Sequence, residues 1–166
     1  MIKKVLIASA LLGLSTAAVA GPSTGDWEIV FSNAGGGLEI NSDITALGVG
    51  VRAGYFLDSV HEVGFGTDLS YFDNGVANGE SLDLAGFYRY NFATSESKEW
   101  CYGGVSLDLR NVTDSDASSE WIRPHFGKKW MLSEDVAFDL NGGVNIPTDS
   151  DIDARFDVRF GLSIFY

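Results

Sequence analysis

Histidine, cysteine and serine are common catalytic side chains, and this sequence does not place them in a catalytic pattern. It has two histidines, His61 and His125, and a single cysteine, Cys101. A hydrolase acting on lipid needs a serine nucleophile with a histidine base and an acid, but neither histidine has a serine beside it in a recognisable motif. Cys101 has no second cysteine to pair with and no histidine near it in sequence. The sequence therefore predicts that the protein is not an enzyme. His125 with Asp108 or Asp139 remains a candidate acid–base pair.

The acidic residues favour neither a metal site nor nucleic-acid binding. Asp149, Asp151 and Asp153 are spaced like the start of a calcium loop, but Ala154 and Arg155 stand where a glycine should follow. The formal net charge of −12 opposes binding to phosphate backbones. We therefore expect no metal, no cofactor and no nucleic-acid partner.

Charged residues recur opposite apolar residues in eight segments after residue 21. In one of them Val63, Phe65 and Leu69 alternate with Glu62 and Asp68. Alternation over about ten residues between turn residues is typical of strands in membrane barrels. The eight segments are 27–32, 44–57, 61–72, 81–92, 99–110, 121–132, 136–146 and 154–166. They predict an all-β protein, an eight-stranded antiparallel up-and-down transmembrane β-barrel.

The connections between these segments alternate in length. Three are short: 58–60, 93–98 and 133–135. Four are mostly longer and rich in Gly, Asp, Ser and Asn: 33–43, 73–80, 111–120 and 147–153. This pattern fits eight strands whose termini both lie in the periplasm. The glycine run at residues 35–37 is predicted to be a loop or a bulge, because no helix follows it.

The placement of charge favours lipid outside the barrel. Alternation alone also fits a soluble barrel, in which the charged face would meet water and the apolar face would line a cavity. An Arg or Lys facing lipid at mid-bilayer costs about 2–4 kcal/mol. The apolar faces avoid both residues except at Lys128, which lies near the predicted periplasmic end, where its chain can snorkel to water. We therefore expect the charged residues to pair in the lumen as an ion-pair network: Glu28, Arg52, Glu62, Asp68, Asp83, Arg89, Asp108, Arg110, Arg123, His125, Lys129, Asp139, Arg155, Asp157 and Arg159.

Aromatic residues cluster at the strand ends. Those expected near the termini and short turns are Trp27, Tyr55, Tyr90, Trp100 and Trp130, and those expected near the longer loops are Tyr71 and Trp121. Amphipathic rings concentrate at the two membrane interfaces. The sequence therefore predicts two membrane girdles.

The two ends of the chain carry export features. Lys3 and Lys4 precede the apolar run 5–14, and Ala18-Val19-Ala20 forms an A-x-A cleavage site. This pattern predicts a signal peptide over residues 1–20 and a single barrel domain over residues 21–166. The apolar run is too short for a spanning helix, which needs about 20 residues.

The chain end and the barrel segments carry a family resemblance. Arg159-x-Gly161-x-x-Ile164-x-Tyr166 resembles the C-terminal signal that the outer-membrane assembly machinery recognises. Residues 21–166, with Gly25-Asp26-Trp27-Glu28 and Gly48-x-Gly50-x-x-x-Gly54-Tyr55-Phe56-Leu57, resemble the small outer-membrane β-barrel proteins of the OmpA-transmembrane, OmpX and opacity-protein type. The resemblance implies a monomer in the outer membrane of a Gram-negative bacterium, within the broad porin family.

The predicted loops indicate the kind of partner. They hold ten acids and no Lys or Arg: Glu39, Asp43, Asp73, Glu80, Asp114, Asp116, Glu120, Asp149, Asp151 and Asp153. We expect a structural, membrane-integrity or surface-interaction role through these acidic loops. The expected partners are outer-membrane lipid and lipopolysaccharide, bridged by divalent cations, or a basic partner. The alternatives are a lipid-modifying outer-membrane enzyme and a narrow channel.

Overall fold

The computed structural model is a closed barrel of eight antiparallel strands, as the sequence predicts. It describes residues 21–40, 45–73, 78–93, 97–114, 118–149 and 153–166, so the predicted signal peptide lies outside the described residues. The strands are β1 (Trp27–Ile40), β2 (Thr45–Phe56), β3 (His61–Asp73), β4 (Asn78–Asn91), β5 (Glu99–Arg110), β6 (Ser119–Met131), β7 (Val136–Pro147) and β8 (Arg155–Phe165). Each strand pairs with its neighbour in sequence, and β1 pairs with β8 to close the barrel. Within the described residues, no helix has the length and apolarity needed to span a membrane.

The barrel has two distinct ends. The terminal end, as we name it, carries both termini of the barrel and the connections from β2 to β3, from β4 to β5 and from β6 to β7. The loop end carries the other connections. Three of them, between β1 and β2, β3 and β4, and β5 and β6, are shorter than the sequence predicts, because strands continue into the predicted loops. The largest difference is in β1, which was predicted to end at residue 32 and extends to Ile40. Pairing with β2 stabilises this extension, because the neighbouring strand supplies backbone partners where local propensity favours a turn. The register shifts between Asn33 and Leu38, so the glycine run lies in a bulge within the strand.

The two faces of the barrel wall have opposite character. Large apolar side chains cover the outside, where Phe65 is 66% exposed and Leu107 is 63% exposed. Charged side chains point inward, where Glu28 and Lys129 are fully buried. Since successive strand residues point to opposite faces, this inversion is maintained along each strand. The barrel therefore buries its polar face and exposes its apolar face.

An apolar plug fills the lumen at the terminal end. It consists of Phe56, Ala93, Trp100, Ala137 and Phe165, with Met131 packed against it. The ring of Phe165 lies 6.3 Å from that of Phe56 and 6.0 Å from that of Trp100. These rings close the terminal end of the lumen beneath the charged residues.

Some glycines are required because bulky lumen residues occupy the space where a side chain would lie. A Cβ on Gly64 would lie 2.2 Å from the carbonyl oxygen of Ala53 and 2.4 Å from Phe87. Gly86 lies on the neighbouring strand β4, and a Cβ there would meet nothing within 4 Å. The two glycines lie in adjacent strands, but a side chain has room at Gly86 and none at Gly64.

We predict that Gly64→Ala lowers the free energy of unfolding by about 1–3 kcal/mol, because the added methyl group overpacks a filled interior. Gly86→Ala is the matched control and should change it by less than about 0.5 kcal/mol, because the methyl group enters open space. Urea unfolding in lipid vesicles measures both values. Equal losses for the two variants would contradict this packing.

Candidate functional site

The lumen contains a group of buried ion pairs near the terminal end. The ammonium of Lys129 contacts the carboxylate of Glu28 and lies 2.6 Å from Asp139. The guanidinium of Arg89 lies 3.1 Å from Glu28 and 3.2 Å from Glu62. We call these five residues the lysine cluster. They come from β1, β3, β4, β6 and β7, so the cluster joins strands from around the barrel.

Neutral side chains form further hydrogen bonds with the lysine cluster. The hydroxyl of Tyr102 donates a hydrogen bond to Asp139 at 2.7 Å. Lys129 donates to the hydroxyl of Ser163 at 2.9 Å. Asn91 contacts Glu62 at 3.4 Å and accepts a hydrogen bond from the indole of Trp100 at 3.0 Å. A buried charge is tolerated only when it is paired and hydrogen-bonded, and these contacts meet that requirement except at the Nε atom of Arg89, which has no hydrogen-bond partner among the described residues.

A second group of ion pairs lies in the lumen, further from the terminal end than the lysine cluster. One terminal nitrogen of Arg52 makes two contacts with Asp68, at 2.8 and 3.0 Å. Arg159 bridges Asp68 and Asp157, with distances of 3.0 and 2.9 Å. Arg123 binds Asp157 at 2.8 Å. We call these five residues the arginine cluster.

The two clusters have opposite formal charge. The lysine cluster combines three acids with two bases, and the arginine cluster combines three arginines with two acids. Each excess charge is thus offset by the other cluster. A small internal cavity of about 10 Å³ is lined by members of both, including Arg89 and Asp139 of the first and Arg52 of the second. A cavity of this size has room for about one water molecule.

Ten of the fifteen residues expected in the lumen network belong to the two clusters, and five have other surroundings. Arg110 donates to Asn145 at 2.6 Å and lies 4.2 Å above the ring of Trp121. Arg155 lies 6.0 Å from the same ring. Asp83 accepts hydrogen bonds from the hydroxyl of Ser81 and the backbone of Asn111. These contacts lie towards the loop end of the lumen. The remaining two residues are Asp108 and His125.

The structure does not form the candidate acid–base pair of His125 with Asp108 or Asp139. One ring nitrogen of His125, Nδ1, faces the backbone oxygen of Arg123 at 3.2 Å. Its other ring nitrogen and the Oδ1 atom of Asp108 are buried without a hydrogen-bond partner among the described residues. The carboxylate of Asp139 is already bound by Lys129 and Tyr102. The arrangement therefore does not support His125 as a general base.

Five of the seven predicted girdle residues face outward, and two do not. The outward ones are Trp27, Tyr55, Tyr71, Tyr90 and Trp130. Trp100 and Trp121 are only 3% and 4% exposed and point into the lumen, so their assignment to the girdles was wrong. Their register explains the difference, because Trp100 pairs with the inward-facing Lys129 and Trp121 with the inward-facing Asp108.

Sequence reasoning also missed bulky neutral residues that fill the lumen. Tyr102 is fully buried, and Phe87 is nearly so. Tyr102 shares its strand parity with Asp108, which the sequence assigns to the inner face. Counting every second residue from Asp108 places both Tyr102 and Trp100 inside.

The residues of the proposed assembly signal lie at the end of the barrel wall. Arg159 belongs to the arginine cluster, and Tyr166 is exposed beside the first strand, exchanging backbone hydrogen bonds with Trp27 at 3.1 and 2.9 Å. A Cβ on Gly161 would lie 2.3 Å from the backbone oxygen of Phe31. Gly161 therefore allows close approach of β8 to β1, while recognition of Arg159, Gly161, Ile164 and Tyr166 by the assembly machinery stays a prediction.

Lys128 and Lys129 provide a matched test of the lumen network. Lys129→Met should lower the free energy of unfolding by about 3–5 kcal/mol, because two buried carboxylates lose their shared cation. Lys128 is partly exposed on the outer face and pairs with Glu99 at 3.1 Å. Lys128→Met should change the value by less than about 1 kcal/mol. Urea unfolding in vesicles measures both, and similar effects for the two variants would count against the network.

Comparison with known proteins identifies the fold. No family model matches the sequence, and no curated protein matches it. Among solved structures, the N-terminal β-barrel domain of OprF from Pseudomonas aeruginosa aligns with a TM-score of 0.57 at 17% identity, covering 87% of this chain and 100% of that one. The outer membrane protein OprG from the same organism aligns with a TM-score of 0.56 at 13% identity, covering 89% and 99%. The chain therefore has the fold of the small eight-stranded outer-membrane β-barrel proteins that its sequence resembles.

Proposed function

We propose that the protein is a monomeric, non-enzymatic barrel of the bacterial outer membrane with a closed lumen and a structural or surface-interaction role. The observation that carries this proposal is the inverted wall, with exposed apolar side chains outside and buried ion pairs inside. In water such a surface would be unfavourable, because exposed apolar area raises the free energy and promotes association. In a bilayer the same surface is the favoured one.

The dimensions of the strands agree with this location. A tilted transmembrane strand needs about 9–11 residues to cross the hydrocarbon core. The eight strands contain between 11 and 14 residues each. At the terminal end, the outward-facing rings of Trp27 and Tyr55 pack with their centres 5.2 Å apart. Those rings suit the headgroup region.

The filled lumen favours a structural role over a channel. The apolar plug closes its terminal end, and the two ion-pair clusters occupy the space above. Eight-stranded barrels have interiors that side chains can fill completely. We therefore propose that ions do not cross the barrel, and we expect no step conductances when it is inserted in a planar bilayer.

The loop end supplies the proposed interaction surface. Glu80, Asp114, Glu120, Asp149 and Asp153 are exposed there. Four of the acids assigned to loops fall in strand ends: Glu39 in β1, Asp73 in β3, Glu80 in β4 and Glu120 in β6. Asp43, Asp116 and Asp151 lie outside the described residues. A surface of this charge suits divalent cations that bridge to the phosphates of lipopolysaccharide, since such cations prefer oxygen ligands.

Arginine substitution tests whether the outer face meets lipid. Phe65 is the fifth of the thirteen residues of β3, inside the strand, and Phe156 lies at the loop end of β8. Their exposures of 66% and 71% are similar. In a bilayer, Phe65→Arg should lower the free energy of unfolding by about 2–4 kcal/mol, and Phe156→Arg should lower it by about 0–1 kcal/mol, because the cost depends on depth.

Urea unfolding in phospholipid vesicles shows whether Phe65 is surrounded by lipid or by water. If water surrounded the barrel, both substitutions would stay within about 0.5 kcal/mol, as surface changes usually do. Small and equal effects would therefore contradict the membrane location.

Charge neutralisation tests the interaction surface. The triple variant Glu80→Gln, Glu120→Gln, Asp149→Asn should weaken magnesium-dependent binding of the vesicle-inserted protein to purified lipopolysaccharide about tenfold, because three carboxylates are lost. Glu134→Gln with Asp135→Asn is the control, since both acids lie in a turn at the terminal end. Lipopolysaccharide binding that is unchanged in the triple variant would rule out this role for the loop end.

A further inference from the structure

A polar cluster lies on the outside of the barrel at the terminal end, where β3 and β4 meet. It consists of Asp58, His61, Tyr88, Tyr90 and Phe92, and we call it the interfacial cluster. The Nδ1 atom of His61 is 2.7 Å from the hydroxyl of Tyr88. The ring of Tyr90 meets the ring of His61 edge-on, with centres 5.2 Å apart, and meets that of Phe92 at 5.0 Å. These residues lie apart from the lumen network and have no role in it.

A fixed carboxylate lies at the edge of this cluster. The Oδ1 atom of Asp58 accepts hydrogen bonds from the backbone nitrogens of Val60 at 2.9 Å and His61 at 2.7 Å. These two bonds lower the pKa of Asp58, so the group is negatively charged at neutral pH. Its Oδ2 atom lies 4.0 Å from the Nε2 atom of His61, which is too long for a hydrogen bond. The Asp58 side chain is half exposed, which leaves room for a donor from outside.

The aromatic rings beside this carboxylate are also accessible. Tyr88 is 38% exposed and Phe92 is 61% exposed on the outer face. Tyr90 pairs directly with His61 across the two strands, which holds the rings beside the turn that carries Asp58. An ammonium group is attracted both by a carboxylate and by the face of an aromatic ring. The combination is therefore suited to a primary ammonium.

The His61–Tyr88 pair retains one N–H or O–H group that can donate a hydrogen bond to another part of a ligand bound through its ammonium. If Tyr88 donates to Nδ1 of a neutral imidazole, the Nε2 atom carries the proton. If Nδ1 donates to the Tyr88 oxygen, the tyrosine hydroxyl keeps its own proton. Either arrangement can donate one hydrogen bond to a phosphate oxygen of a bound ligand.

We propose that the interfacial cluster binds the headgroup of a phospholipid with a primary ammonium, such as phosphatidylethanolamine, in the periplasmic leaflet. The ammonium contacts Asp58 and the rings of Tyr90 and Phe92, and the phosphate contacts the His61–Tyr88 pair. The cluster is continuous with the apolar wall, so the acyl chains of the bound lipid lie along the barrel. This inference rests on the proposed membrane location. A purely anionic headgroup is disfavoured, because the cluster itself contains a negative charge and no lysine or arginine.

Native mass spectrometry of the delipidated full barrel in detergent tests this site. Phosphatidylethanolamine and phosphatidylglycerol with identical acyl chains serve as probes. We expect phosphatidylethanolamine to bind about fivefold more tightly, as a surface ion pair and a cation–π contact together provide. Asp58→Asn should reduce this preference to about twofold, because only the ring contact remains, and it keeps the oxygen that accepts the two turn hydrogen bonds. Asp135→Asn changes an acid in another turn at the same end and should leave the preference intact.

Equal binding of the two lipids by the unmodified protein would overturn the proposal, and so would an unchanged preference in Asp58→Asn. Tyr90→Leu gives a second readout and should reduce the preference by a factor of about two to three, because only the ring contact is lost. Insertion into vesicles is measured on the same preparations. A protein that inserts without a lipid preference contradicts this site alone, whereas a protein that does not insert contradicts the membrane location.

Discussion

Closure of the barrel forces every second side chain of eight strands into a space that only side chains can fill. The sequence places charged residues at many of these positions, so closure also forces charges to meet. Lys129 then lies between Glu28 and Asp139, and Arg159 between Asp68 and Asp157. Since an unpaired buried charge is costly, the pairing of the inner face is the condition on which the closed wall and its apolar outer face depend.

The same constraint links the interior to the proposed role. Among the described residues, two charge clusters and an apolar plug occupy the lumen around a cavity of about 10 Å³. The surfaces available for interaction are then the loop end, the terminal end and the outer wall. The acidic loop end suits cation-bridged lipopolysaccharide, while Asp58 and Tyr90 at the terminal end suit an ammonium headgroup. We therefore propose that each surface binds the lipid of its own leaflet.

The strand order and most of the inner face were predictable from sequence, because a period of two assigns each residue to a face once one charge is placed. The membrane girdles were less predictable, because a position near a strand end does not determine which face of the wall a residue occupies. Trp100 and Trp121 lie near strand ends as girdle residues do, yet their parity places them inside. The partners of His125 and the approach of Asp58 to His61 depend on the register between strands and on a turn conformation. A single sequence does not specify those features.

The tryptophans offer the most direct test of the inverted wall, because Trp27 faces outward and Trp100 faces the lumen. Variants that retain only one of them would be inserted into vesicles containing brominated lipids, and quenching of tryptophan fluorescence would be measured. We expect strong quenching of Trp27 and little quenching of Trp100. Quenching of Trp100 that equals or exceeds that of Trp27 would contradict the assignment of the apolar face to lipid and the charged face to the lumen.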